Sequence, residues 1–196
     1  MGDTQNVTKF SPMWSLKPIN TPSSICPGCQ HQNAGFAEYL FVASQVLSVG
    51  KCAQCNLRYF HNWPIGHGAE FPLAFANGVA SFSKRSHSWL AAPVMAAINE
   101  NRTIHAEIAR EVRQVTKQAI LLNCLDSCYG HIILKILNSW FYREIDFPKG
   151  LIVIVPENCV WMVPDFVAEV WSIQVSLKDL NAQLPSLKAF IEQVSN

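Results

Sequence analysis

Along the chain, the spacing of apolar residues changes character more than once. Residues 1–24 are polar, interrupted by Pro12, Pro18 and Pro22, and show neither a helical nor a strand period, which predicts a loose lead-in. Glu38 to Val49 is rich in β-branched and aromatic residues and long enough for a hairpin, and Leu57-Arg58-Tyr59-Phe60 reads as a further strand. Residues 63–93 are aromatic but irregular, with Gly66, Gly68, Gly78, Pro64, Pro72 and Pro93, and suggest a wrapping connection. Ile104, Ile108, Val112 and Val115 then fall at helical spacing, with Glu107, Arg110, Glu111 and Arg113 elsewhere around the cylinder. That period predicts a helix over Thr103 to Gln118.

From residue 119 the pattern alternates. Ala119 to Leu125 predicts a buried strand. Tyr129 to Tyr142, with Ile132, Ile133, Ile136, Leu137 and Trp140 at i, i+1, i+4, i+5 and i+8, predicts an amphipathic helix. Leu151 to Val155 is a second strand stopped by Pro156, and a helical turn near Pro164 to Ala168 precedes a third, Glu169 to Val175. Leu177 to Val194 is mostly helical and restarts at Pro185. Short continuous apolar strands separated by helices imply a parallel sheet with right-handed crossovers.

Composition supports a folded chain and narrows its partners. Of 196 residues, 49% are hydrophobic, enough for a real core. The formal charge is +1 and Lys84-Arg85 is the one short basic cluster, so no electrostatic field gathers nucleic acid or an anionic membrane surface. The N-terminus lacks the pattern of a secretory signal, and no apolar run reaches the ~18 residues a bilayer span needs. Seven cysteines, an odd number, fit reduced thiols and metal ligands better than a disulfide framework. A cytoplasmic location is the expectation.

Four of those cysteines form two pairs, Cys26-Pro27-Gly28-Cys29 and Cys52-Ala53-Gln54-Cys55, separated by 22 residues. A two-residue gap lets both sulfurs of one tight turn face one ion, and zinc favours four thiolates in a tetrahedron. Gly28 offers a positive φ that would turn N–H groups toward sulfur. Lys51 and Arg58 lie where they could offset the thiolate charge. His31, His61 and His67 are nearby rivals, but Cys26, Cys29, Cys52 and Cys55 already fill the coordination shell. Two redox dithiols, or four unrelated buried thiols, are the alternatives. The arrangement resembles a zinc ribbon over residues 25–62, which implies a structural Zn2+. The fold expectation is therefore α/β: a small four-cysteine zinc ribbon followed by a Rossmann-like parallel sheet with flanking helices. The divisions are 1–24 lead-in, 25–62 ribbon, 63–93 aromatic connection and 94–196 Rossmann-like domain.

A second concentration of chemistry follows residue 125. In an open parallel sheet, ligands bind beyond the carboxyl ends of the strands. The first such end carries Asp126, Ser127, Tyr129, Gly130 and His131; the next carries Glu157 and Asn158, and the third Ser176. Asp126 or Ser127 could simply cap the helix, whose free N–H groups could also meet an anionic ligand. There is no GxGxxG and no GxxxxGK[ST], so the common nucleotide fingerprints are missing. Cys128, at a helix start with His131 three residues on, is conceivable as a thiol nucleophile. Cys124 and Cys159 read as packing thiols.

The run Asp126-Ser127-Cys128-Tyr129-Gly130-His131 and the helix after it, with the strand Gly150 to Val155, resembles the N-terminal half of GT-B type glycosyltransferases over residues 119–180. That resemblance implies a Rossmann-like half-domain and a nucleotide-sugar or carbohydrate ligand. It implies that His131 faces the active site; beside it Asp126 is the second catalytic candidate, and Ser127, Tyr129, Gly130, Glu157 and Asn158, by their place at the strand ends, are the candidates for binding ligand. It also implies a partial relative, because the donor site of that family lies mostly in the other half. Two further readings stand beside it. One is a non-catalytic zinc-ribbon scaffold holding a protein partner, and the other a thiol enzyme using Cys128 and His131.

Overall fold

The structure, a computed structural model, describes residues 24–33, 38–42, 45–63, 73–77, 79–82, 88–116, 118–144 and 150–195. The N-terminal strands pair with near neighbours. β1 (Ser24–Ile25) and β2 (Gln32–Asn33) form a short antiparallel ribbon. β3 (Glu38–Val42), β4 (Gln45–Lys51), β5 (Arg58–Asn62), β6 (Leu73–Ala76) and β7 (Val79–Phe82) form an antiparallel meander in that order. The hairpin expected over Glu38 to Val49 is β3 with β4, and the strand expected at Leu57 to Phe60 is β5.

Alternation gives this sheet two working faces. Leu40, Val42, Leu47, Leu73 and Phe75 face α1 (Ser88–Asn99), whose Ala91, Val94 and Ala97 repeat every third residue. Tyr39, Phe41 and Val46 point the other way, into the largest core. The stretch 63–93, expected as a connection, thus supplies two strands and the start of a helix.

The second sheet comprises β8 (Ile108–Val112), β9 (Ala119–Asn123), β10 (Gly150–Pro156) and β11 (Glu169–Ile173), in the order β8-β11-β10-β9. β9, β10 and β11 are mutually parallel, and β8 is antiparallel to β11. On one face Leu151, Val153, Val155 and Val170 pack beneath Ile132 and Ile136 of α2 (Tyr129–Leu137), with Cys124 and Cys159 as packing thiols in the same core. On the other, Ile152, Ile154, Trp171 and Ile173 meet Leu187 and Ile191 of α4 (Pro185–Ser195), together with Phe41 and Val46 of the first sheet. At roughly 1.5–3 kcal/mol for each fully buried large apolar side chain, this shared core is what joins the sheets. The expected parallel α/β sheet is therefore present as three strands of a mixed four-stranded sheet.

Three local expectations are corrected. Residues 108–112 form the strand β8, where a helix over Thr103 to Gln118 was expected. Ile104, Ala106 and Ile108 pack on the core at strand parity, and the next residue of that parity is Arg110. Its guanidinium donates from Nε and Nη2 to the Glu169 carboxylate, each at 2.8 Å, and Trp171 Nε1 donates to the same carboxylate at 2.9 Å. A charged residue at an inward position hid the period of two. The helix expected through Tyr142 is divided at Asn138 into α2 and α3 (Ser139–Glu144). The short helical element lies at Glu157–Met162, as a 3₁₀ turn, while Pro164 to Ala168 makes a tight turn with Val167 N–H donating to Pro164 O at 3.2 Å.

A second 3₁₀ turn, Leu177–Leu180, leads to the segment that stitches the halves. Gln183 N–H donates to Arg102 O (2.8 Å), Gln183 O accepts from Ile104 N–H (3.0 Å), and Gln183 Nε2 donates to Ala97 O (3.1 Å). Next to it, Leu184 N–H donates to Phe41 O at 3.0 Å, covering the outer edge of β3. Among the described residues no helix is long and apolar enough to cross a membrane. The lead-in expectation, apart from Ser24, falls outside the described residues.

Candidate functional site

Each cysteine pair sits at the tip of a hairpin. The first turn joins β1 to β2 and the second joins β4 to β5, where Lys51 is opposite Arg58. The two turns have the same backbone wiring. Cys26 N–H donates to His31 O at 2.9 Å and its carbonyl accepts from Gln30 N–H at 3.0 Å. Cys52 N–H donates to Leu57 O and its carbonyl accepts from Asn56 N–H, both at 2.9 Å.

Closing such a turn requires a left-handed residue just after the second cysteine. Gln30 (φ 62°) and Asn56 (φ 58°) take that conformation, not Gly28 as the sequence suggested. Gly28 has another reason to be small: a Cβ there would lie 2.9 Å from Leu57 Cδ2. Its N–H does face sulfur, 3.4 Å from Cys26 Sγ.

The turns bring all four sulfurs within 4.8 Å of one another. Cys26 Sγ is 3.6 Å from Cys55 Sγ, and Cys29 Sγ is 3.5 Å from Cys52 Sγ. These separations far exceed the ~2.05 Å of a disulfide, and the thiols are free. Cys26 and Cys52 are wholly buried against Tyr59 and Ala76, whereas Cys55 is exposed. Burial opposes the Cys52 thiolate, but the Cys55 and Gln54 N–H groups and the Cys29 and Cys55 thiols outweigh it and bring its pKa down to about 6. The Leu57 N–H favours the Cys55 thiolate, but partial desolvation by its neighbours and the other three sulfurs push its pKa up to about 12. Crowded thiols that cannot all ionise together are a donor set suited to a cation. The cluster could hold a metal ion.

Asn33, which sequence reasoning passed over, clamps the two turns. Its buried side chain donates from Nδ2 to His31 O (3.2 Å) and accepts from Ala53 N–H at Oδ1 (3.0 Å). Of the rival histidines, His31 supplies a backbone carbonyl and is exposed. His61 lies within β5, where burial lowers its pKa, and His67 falls outside the described residues. Arg58 stacks over Phe60, 5.5 Å from the ring centre.

At the carboxyl end of β9, Asp126 is the centre of a polar cluster. Its Oδ1 accepts the Cys128 N–H (3.0 Å) and lies 3.3 Å from His131 Nδ1; its Oδ2 accepts Lys135 Nζ at 2.8 Å. Lys135 also donates to Leu125 O at 2.9 Å. Burial raises the Asp126 pKa, but Lys135, the Cys128 N–H and His131 overcome it and hold the carboxyl below its ordinary value. The sequence brought Asp126 and His131 together; Lys135, one helical turn after His131, was the missed member.

The other residues singled out lie around this cluster. Ser127 and Cys128 are exposed, and Cys128 is the N-cap of α2 without a side-chain cap bond. Tyr129 O–H donates to Met162 Sδ at 3.6 Å, which brings the start of α2 beside the turn carrying Glu157 and Asn158. Both of those residues are exposed. Cys159 S–H donates to Asn158 Oδ1 at 3.4 Å, and Trp161 Nε1 donates to Asn158 O at 3.0 Å. A Cβ at Gly130 would meet only Cys128 Sγ, at 3.9 Å, so the protein's own packing does not demand a glycine there. Burial pushes the Cys124 thiol up to about 12, as an inert packing residue requires. Compared with family models, curated proteins and solved structures, the chain matches none.

Proposed function

We propose that this is a zinc-binding protein whose four-cysteine ribbon is structural and whose α/β part acts as a non-catalytic scaffold for a protein partner. The observation that carries it is the sulfur geometry. A Zn–S bond of about 2.3 Å gives a tetrahedron with S···S edges of about 3.8 Å. Two inter-turn pairs are at 3.5 and 3.6 Å, and all four lie within 4.8 Å. Cys26, Cys29, Cys52 and Cys55 would hold the ion, leaving no coordination position for water or substrate. Bound zinc would neutralise thiolate charge and cross-link the two hairpins.

Scaffolding is favoured by what is exposed and by what is already used. Leu134, Leu137 and Phe141 on α2 and α3 are 54–60% exposed, and Trp161 is 76% exposed. Both oxygens of Asp126 are engaged by groups of the chain itself, a positioning arrangement more than that of a free general base.

Elemental analysis of the purified protein should return one zinc per chain, and Cys29→Ser should abolish stoichiometric binding. A colourless protein without metal, or the visible absorption of a thiolate-bound iron, would overturn the zinc assignment, since a tetrahedral sulfur site also suits iron.

A second reading, a glycosyltransferase-like half-domain, is supported by the Asp126–His131 contact at a parallel strand end. On that reading His131→Ala weakens calorimetric binding of a nucleotide sugar and leaves the melting temperature unchanged. Absence of heat from the unmodified protein with common nucleotide sugars counts against it.

A further inference from the structure

A metal held by thiolates is only as secure as its least protected sulfur, because a thiolate is a nucleophile toward peroxides wherever they reach it. The four sulfurs of the ribbon differ in that respect. Cys26 and Cys52 are wholly buried, backed by Tyr59 and Ala76, Cys29 is half-buried, and Cys55 is exposed.

Two sulfur pairs span the gap between the turns, and each joins a more accessible thiol to a buried one. Cys55 Sγ faces Cys26 Sγ at 3.6 Å, and Cys29 Sγ faces Cys52 Sγ at 3.5 Å. Closing either pair to the ~2.05 Å of a disulfide takes a movement of about 1.5 Å.

Asn33 keeps the turns together by means that do not depend on the metal. Its bonds to His31 O and from the Ala53 N–H involve no sulfur. They hold the turns in register when the ion leaves, so a sulfur on one turn stays within reach of its partner on the other.

We infer that the ribbon is a peroxide-sensitive zinc-release switch, in which Cys55 is the sulfur attacked and Cys26 resolves it across the turns. The inference rests on the zinc reading and adds its regulation. One hydrogen peroxide is consumed for each bond made. The Cys55 thiolate attacks one peroxide oxygen, the O–O bond breaks, and hydroxide departs from a Cys55 sulfenic acid. The Cys26 thiolate then attacks the Cys55 sulfur; the S–S bond forms, the S–O bond breaks and a second hydroxide departs. Two thiolates have given up two electrons, and the peroxide, with two protons from solvent, has become two waters. Cys29 and Cys52 are then half of the donor set that held the ion, which is lost to solvent. A second peroxide joins these two in the same way. The oxidised ribbon keeps its hairpins cross-linked, by sulfur in place of metal. A thiol reductant reopens the disulfides and restores the four ligands.

The test uses the full chain carrying Cys128→Ser, which removes the exposed thiol outside the cluster, with zinc content measured before any oxidant is added. Hydrogen peroxide is then titrated in, while a colorimetric dye follows zinc and non-reducing peptide mass spectrometry maps disulfides and dimedone-trapped sulfenic acid. The expected result is release of one zinc per chain in step with a Cys26–Cys55 bond, a dimedone adduct on Cys55, and full recovery of zinc binding after reductant and fresh zinc. Zinc kept through the titration, first oxidation at another cysteine, Cys55 joined to another partner or to a second chain, or release that reductant does not reverse would each overturn the inference and leave the zinc reading standing. Protein without zinc before peroxide sinks both. If Cys128→Ser does not fold, the same mapping on the unmodified chain decides, since its Cys128 peptide is read separately.

Discussion

Replacing Asp126 by Asn tests whether the cluster at the end of β9 is an anchor. The substitution keeps an oxygen for the Cys128 N–H, which Oδ1 accepts at 3.0 Å. It removes the charge that faces Lys135 Nζ at 2.8 Å and sets an amide NH2 against an ammonium. The Asp126 and Lys135 side chains are 11% and 20% exposed, so this pair is far less screened than a surface bridge, whose median worth is about 0–1 kcal/mol. A hydrogen bond to a charged group contributes about 1.5–3 kcal/mol, and about 2 kcal/mol is expected here. In a chain of this length that is a fall of roughly 4–8 °C in melting temperature.

The assay is a double-mutant cycle with Lys135→Met, read by denaturant and thermal unfolding. The folded pKa of Asp126 is held below the 3.8 of an ordinary aspartate. A depressed acid contributes stability that is present above the unfolded pKa and lost as pH falls through the folded one. The coupling energy should therefore be constant near neutrality and shrink below about pH 4. A coupling indistinguishable from zero at pH 7, or one that persists unchanged in acid, would refute the ion-pair account.

Other outcomes follow from the same geometry. Arg110→Met should cost about 3 kcal/mol, because it strands the Glu169 carboxylate, 2% exposed, with only the Trp171 N–H; combining it with Glu169→Leu should recover most of that loss in chemical denaturation. Gly150→Ala should destabilise by about 1–3 kcal/mol, since the new Cβ would sit 2.4 Å from Thr116 Oγ1; an unchanged melting curve would show that Thr116 yields freely. Asn33→Ala should cost about 1–2 kcal/mol by orphaning the Ala53 N–H and should speed zinc loss to a chelator, followed with a colorimetric zinc dye; zinc loss at the unaltered rate would remove its clamping role.

The four-cysteine cluster was fully legible in the sequence, because the constraint is local: two residues between sulfurs, twice. The parallel strands were legible for a related reason, as runs such as Leu151 to Val155 have few other fates. What stayed hidden depended on distant partners. Arg110 reads as a helix surface residue until Glu169, 59 positions later, turns it inward. The β6–β7 hairpin did carry a local signal, Asn77-Gly78 between two mostly apolar tetrads, and Asn77 takes a positive φ of 49° there. The surrounding glycines and prolines drowned it. The Asp126 cluster was half legible. Lys135 lies one turn beyond His131 on the same helix, but its reach back to Leu125 O depends on where the helix docks on the sheet.

The stitch at residues 183–184 sets a timetable for the folding chain. The two cysteine turns lie within about thirty residues of each other and can close as soon as they are made, so the four sulfurs meet early. The edge of β3 is sealed only when Leu184 reaches Phe41, after residue 184 has emerged. Until then the apolar side of the first sheet lies open. A product that stops short of this stitch would hold its cysteine turns correctly while still offering Phe41 and Val46 to chaperones or proteases.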